Sequence, residues 1–147
     1  LSSSSAASDV YKRQVMQLTE TDMTILFRRL STIQEPESNH LTHAFYKVEE
    51  IPQNEWNSWL DRWWGRVDGR PDRESMLNAN PKYVLRNWMA QLAIDAAEKE
   101  DYSVATALHE MLKKPYEEQT RNEEEWFTRR PEWARVRVGC SMLSCSS

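Results

Sequence analysis

Apolar residues recur at spacings of three and four along several stretches of this chain, and each stretch predicts an amphipathic helix. The longest pattern lies in residues 80–115, NPKYVLRNWMAQLAIDAAEKEDYSVATALHEMLKKP. Leu85, Trp88, Met89, Leu92, Ala93 and Ala96 form one stripe, and Val104, Leu108, Met111 and Leu112 form a second. Glu98, Lys99, Glu100 and Asp101 interrupt the two. Asn80 suits an N-cap, and Pro81 suits the first helical position, where no donor is required. Lys113 and Lys114 suit the negative end of the second helix, and Pro115 stops it. The pattern predicts helices over residues 81–98 and 103–113, packed as an antiparallel hairpin around a tight turn.

Upstream, Met23, Leu26, Phe27, Leu30 and Ile33 share one face of a helix predicted over residues 20–31, capped by Thr19 or Thr21. Arg28 and Arg29 lie near its C-terminal end, where the helix dipole favours cations. Pro52 opens a further helix, predicted over residues 52–66, with Trp56, Trp59, Leu60, Trp63 and Val67 on one stripe and Trp64 outside it. An aromatic stripe of this kind reads as core or as an intramolecular dock rather than as a cation cage. Gly65, Gly69 and Pro71 end that helix, and residues 68–74 read as a hydrated linker. Residues 31–39 are polar, contain Pro36 and read as a loop, while residues 41–48 read as either a helical turn or a short strand. After Pro115 the pattern decays. Glu117, Glu118, Glu123, Glu124 and Glu125 read as a solvated face, with one short helix ending at Trp126 and Phe127. An irregular tail begins at Pro131-Glu132-Trp133, anchored by Trp133.

Composition changes the picture in two ways. The chain has 147 residues, enough for one domain at most, yet only 39% are apolar and its formal charge is −4. It also carries seven tryptophans, more large ring surface than so short and polar a chain readily covers by itself. The acidic balance argues against a nucleic-acid partner, and no apolar run is long enough for a bilayer-spanning helix. Residues 1–14, LSSSSAASDVYKRQ, lack periodicity and an apolar h-region, so no secretory signal is expected in them. They read as a non-native leader of the adaptor type found on translated environmental fragments, or else as a natural disordered segment.

The sequence offers no catalytic, cofactor-binding or metal-binding constellation. Gly65, Gly69 and Gly139 are its three glycines, so no phosphate-cradling loop is present, and the lysine strand, HRD-like loop and DFG triplet of kinases are missing. His40 and His43 would share a helical face, but no third metal ligand lies near them in sequence, and they read as solvated or packing side chains. Glu98, Glu100 and Asp101 belong to a turn rather than to an acid–base pair. Cys140 and Cys145 are the reactive candidates. Their spacing is too sparse for zinc, and in a mobile C-terminal tail both thiols are expected to be exposed and free to exchange.

Asn80 through Trp88, with Ala90-Gln91, Ala93-Ile94, Ala96-Ala97-Glu98, Asp101-Tyr102, Leu108-His109-Glu110, Leu112, Pro115-Tyr116, Pro131-Glu132-Trp133 and the terminal Ser144-Cys145-Ser146-Ser147, resemble the C-terminal region of the selenoprotein O family. Upstream, Asp22, Thr24, Phe27-Arg28 and Leu30-Ser31 extend the resemblance to roughly residues 15–147. The resemblance implies a mainly α chain: residues 15–133 as the helical C-terminal part of a kinase-like domain, and residues 134–147 as a flexible cysteine-bearing tail. It implies a parent enzyme, of a family long called pseudokinases, that transfers AMP from ATP to Ser, Thr or Tyr hydroxyls of proteins with Mg2+ or Mn2+. On the same basis the partners are the upstream kinase-like domain and protein substrates, with neither nucleic acid nor membrane, and the setting is the bacterial cytoplasm. Cys145 stands where the family carries a redox-regulatory cysteine or selenocysteine, which forms a disulfide to an upstream cysteine near the activation segment. Cys140 has no general counterpart there and leaves open which thiol would pair. The alternative from the residues is a helical interaction module of repeat-scaffold type, although no second copy of the hairpin recurs at the expected period.

Overall fold

The computed structural model describes residues 15, 16, 19–138 and 140. Residues 1–14 and 141–147, and with them the leader and Cys145, lie outside the described residues. The protein is mainly α, as the periodicity predicts, and the isolated bridge Thr21↔Phe45 is the β pairing among the described residues. The chain divides into two units, Leu1–Ala79 and Asn80–Ser147. No helix among the described residues is long and apolar enough to cross a membrane.

In the first unit, α1 spans Met23–Leu30. Its cap is Asp22, whose carboxylate accepts from the Ile25 N–H at 3.1 Å, and not Thr19 or Thr21. Those two threonines serve the preceding turn instead: their hydroxyls lie within hydrogen-bond distance of each other, and one donates to the other while the remaining hydroxyl proton goes to a carbonyl of that turn, Val15 for Thr19 or Met16 for Thr21. The buried face is Ile25, Leu26, Leu30 and, just past the helix, Ile33; Met23 is exposed, a correction to the expected stripe. Arg28 is buried as well, and its guanidinium donates to the Leu77 carbonyl at 3.1 Å. Of the two alternatives for residues 41–48, the helical turn is the one found, and no strand forms among the described residues. A 3₁₀ helix runs over Ser38–Ala44 and buries Leu41 and Ala44, and Phe45 then makes the single bridge to Thr21.

The helix α2, Gln53–Arg66, buries Trp56, Trp59 and Leu60 as its spacing predicts. The rings form a ladder: Phe45 to Trp56 at 4.9 Å between centroids, Trp56 to Trp59 edge-on at 5.8 Å, Trp59 to Trp63 stacked at 6.2 Å, and Trp63 to Trp64 at 5.9 Å. Each contact adds directional attraction to the burial of ring area. The C-terminus closes as a Schellman turn, in which the Gly69 N–H donates to the Trp64 carbonyl and the Asp68 N–H to that of Gly65. Gly69 sits at φ +65, where a Cβ would lie 3.2 Å from Trp64 Nε1, so glycine serves both the backbone and the close approach of the ring. The supposed linker then becomes a short helix, α3, Arg73–Ala79. Arg73 donates to the Ile33 carbonyl at 2.9 Å, and Asp72 accepts from the Ser75 N–H at 3.1 Å.

In the second unit, α4 is Asn87–Ala97 and α5 is Ser103–Leu112, and they pack as the expected hairpin. Trp88, Met89, Leu108 and Met111 are its buried residues. The turn between them is a second Schellman closure, with the Asp101 N–H donating to the Ala96 carbonyl and Glu100 at φ 62. The start of α4 is not as expected. Residues 81–86 are extended, and the helix begins after Arg86, six residues beyond the expected start at Pro81. The reason is tertiary: the backbone N–H groups of Lys82 and Tyr83 both donate to the Pro115 carbonyl, at 2.8 and 3.1 Å, which holds the segment across the end of α5. Leu85, expected in the stripe, is consequently exposed. Two short helices follow, α6 at Thr120–Trp126 and α7 at Glu132–Val136. The second replaces the irregular tail, and its anchor is the fully buried Ala134 rather than the exposed Trp133.

Candidate functional site

Within the stretch Asn80–Trp88, which carries part of the sequence resemblance, Lys82 is buried. Its side chain is 3% exposed, and its ammonium group lies 2.8 Å from Glu118 Oε2 and 2.8 Å from Glu123 Oε2. It also sits 5.2 Å from the Phe127 ring centroid and 5.8 Å from that of Tyr83, within cation–π range. The Tyr83 hydroxyl bridges the carbonyls of Glu118 and Gln119, at 2.9 and 3.0 Å. Gln119 adopts φ 43 and turns its side chain back, donating to the carbonyls of Met111 and Lys114 at 3.0 and 2.6 Å. The open end of α5 is thereby capped from outside the helix. Trp88, the second residue of α4, stacks on Trp126 at 5.9 Å with an interplanar angle of 19°. Extended segment, α4, α5 and α6 therefore meet at one buried polar node with an aromatic pair beside it.

The node holds a cation with two carboxylates and closes loops with shared hydrogen bonds. Its chemistry is that of a clamp. The expected solvated face of Glu117, Glu118, Glu123, Glu124 and Glu125 holds, with Glu123 half-buried, and two of its members, Glu118 and Glu123, also turn a carboxylate oxygen to Lys82. A lone lysine between Pro81 and Tyr83, followed by an acidic run some thirty-five positions on, was the one signal of this pairing in the sequence.

The cysteine tail is held against α4 as far as it is described. Arg137 makes a two-pronged ion pair with Asp95, Nη1 to Oδ2 at 2.7 Å and Nη2 to Oδ1 at 2.8 Å. Gln91 Nε2 donates to Asp95 Oδ1 at 2.8 Å, and the Arg137 guanidinium lies 5.8 Å from the Trp133 ring centroid. The Gln91 amide, and after it the Arg137 guanidinium, hold the Asp95 carboxyl below the ordinary carboxylate range. The Cys140 N–H donates to the Arg137 carbonyl at 3.1 Å, and the Cys140 residue is 1% exposed. The expectation that Cys140 is an exposed thiol is thus overturned; Cys145 lies outside the described residues.

In the first unit, a polar cavity of about 350 Å³ is lined by Glu37, Ser38, Gln53, Asn57 and Asp61, among others. Ser38 orders one wall, its hydroxyl donating to Gln53 Oε1 at 2.6 Å and its N–H to Asn57 Oδ1 at 3.3 Å. At its edge Glu35, Glu37 and His40 bring one ligand atom each within 4.8 Å of one another, all on exposed side chains. The 3₁₀ helix, not an α-helix, sets the directions of His40 and His43, and His40 faces Glu35 at 3.7 Å. Sequence spacing missed this trio because it comes from tight turns, in which the Glu37 N–H donates to the Glu35 carbonyl at 2.8 Å and the His40 N–H to that of Glu37 at 3.3 Å.

No protein-family model matches the chain. It is similar to curated proteins named protein nucleotidyltransferase YdiU. One from Flavobacterium johnsoniae is 51% identical over 90% of this chain and 28% of its own length. One from Rhodopirellula baltica is 44% identical over 90% of this chain and 29% of its own, and one from Aromatoleum aromaticum is 44% identical over 87% and 26%. The chain therefore spans between a quarter and a third of the length of these relatives.

Proposed function

We propose that the chain is the helical C-terminal portion of a protein AMP-transferase of the selenoprotein O type, which moves AMP from ATP to Ser, Thr or Tyr hydroxyls of other proteins. The observation that carries this is the 51% identity to a protein nucleotidyltransferase across 90% of the chain. The node at Lys82 supports the division of labour. The most specific stretch of the sequence is spent on burying a lysine and closing α5, so it supports a scaffold and leaves nucleotide chemistry to the remaining length of the parent. ATP with Mg2+ or Mn2+ binds in that kinase-like remainder, which is also the partner of this portion, and the protein works in the bacterial cytoplasm on protein substrates. Cys145 acts in a redox switch through a disulfide to an upstream cysteine.

The test is a transfer assay with the full-length protein, an acceptor protein and ATP labelled at either the α- or the γ-phosphate. Label from the α position is expected on the acceptor; transfer of γ-label alone identifies a phosphoryl transferase and rejects the reading. In the same assay Cys145→Ser is expected to leave transfer intact in dithiothreitol and to remove most of its sensitivity to oxidant, while Cys140→Ser leaves both the transfer and its oxidant sensitivity unchanged. An unchanged redox response in Cys145→Ser rejects the switch.

A further inference from the structure

We propose that the Asp95–Arg137 pair is a latch that keeps Cys140 out of reach of thiol reagents, so that opening the latch, and not the chemistry of the thiol, sets its reactivity. The geometry supplies each link. Arg137 is the last residue before the turn that carries Cys140, and the two are joined by the Cys140 N–H to Arg137 carbonyl bond at 3.1 Å. The Arg137 side chain is fixed to α4 by both guanidinium nitrogens, and its carboxylate partner is itself oriented by Gln91. Trp133, one turn earlier on α7, lies under the same guanidinium. Ala134 is fully buried, so α7 is seated at its middle, while Arg137 ties its C-terminal end to α4.

A reagent can attack Cys140 only after the turn lifts, because the residue is 1% exposed. Lifting the turn requires breaking the two-pronged pair or stretching the segment between Arg137 and Cys140. The pair is part-exposed, with Arg137 43% and Asp95 29% accessible, so it is strong enough to bias the turn and weak enough to open. The latch makes Cys140 a cryptic thiol. For the regulated tail proposed above, and resting on that reading, it leaves Cys145 as the thiol that answers oxidant while the latch is closed.

The test follows the labelling rate of Cys140 in the 147-residue chain carrying Cys145→Ser. The probe is dithiobis(nitrobenzoate): the Cys140 thiolate attacks its disulfide, forms a mixed disulfide and releases thionitrobenzoate, which is read by absorbance. Cys140 is expected to label at least about tenfold more slowly than in denaturant, as a buried thiol does. Asp95→Asn is expected to label about fivefold faster than the parent, the size of an exposed ion pair's bias. Arg137→Gln removes the pair from the tail side without touching α4 and should accelerate labelling alike. Salt near 1 M should speed the parent and leave both variants unchanged, since screening acts only while the pair exists. Glu110→Gln, which removes the exposed pair with Lys113 on α5, should not alter the rate. Labelling of the parent at the denatured rate overturns the proposal. So does an unaltered rate in Arg137→Gln, or equal acceleration by Glu110→Gln. The assay contains neither nucleotide nor oxidant, so its failure is separate from failure of the AMP-transfer reading.

Discussion

Trp88→Ala is expected to lower the stability of the second unit by about 3–5 kcal/mol, the range for emptying a buried tryptophan site, and to leave it largely unfolded at room temperature. Trp88 is 4% exposed, stacks on Trp126 and is one of two buried residues on α4, so its loss strips α4 of its principal anchor. A unit this short has little apolar area in reserve. The loss should be one of packing, because the Trp88 Nε1 makes no hydrogen bond among the described residues. Trp88→Phe should therefore keep well over half of the stability. Urea unfolding followed by far-UV circular dichroism checks both variants. A Trp88→Ala chain as stable as the parent would show that the hairpin is held elsewhere.

The second large effect is expected at Lys82. Lys82→Met keeps the apolar stem and removes the charge, leaving Glu118 and Glu123 facing each other without it. A fully buried broken pair costs about 3–5 kcal/mol, but Glu118 is 60% and Glu123 36% exposed, and water reaches both. The expected loss is therefore smaller, about 2 kcal/mol. Glu118→Gln, on the wet side of the clamp, is expected to cost less than about 1 kcal/mol. The same urea series reads both, and the ordering is the informative part. If Glu118→Gln costs more than Lys82→Met, the lysine is not the centre of the node.

These two residues also mark what could be read from the sequence and what could not. The stripes of α2 and α5 and the hairpin were legible because helical periodicity reports which face meets the core, and Trp56, Trp59, Leu108 and Met111 are buried as read. The extended run 81–86 was not legible, since Asn80-Pro81 is good local chemistry for a helix start and only the carbonyl of Pro115, far along the chain, decides otherwise. The burial of Arg28 and Lys82 was not legible for the same reason. Their partners, the Leu77 carbonyl and the carboxylates of Glu118 and Glu123, are 49, 36 and 41 positions away and invisible to any local window. At the tail, Cys140 follows residues without apolar periodicity, so nothing local announced its burial or the two-pronged pairing of Arg137 with α4. The trio of Glu35, Glu37 and His40 depends on a 3₁₀ helix, whose spacing the α-helical reading does not sample.

The claim that this chain supports nucleotidyl transfer without supplying its chemistry meets its most direct test in calorimetric titration with Mg-ATP. Transfer of this kind depends on charge neutralisation and positioning around the phosphates, which a kinase-like cleft provides and a Lys82 committed to two carboxylates does not. The full-length protein is predicted to bind Mg-ATP with a saturable heat, and residues 15–147 alone to give none. Micromolar binding of Mg-ATP by residues 15–147 alone would contradict the account.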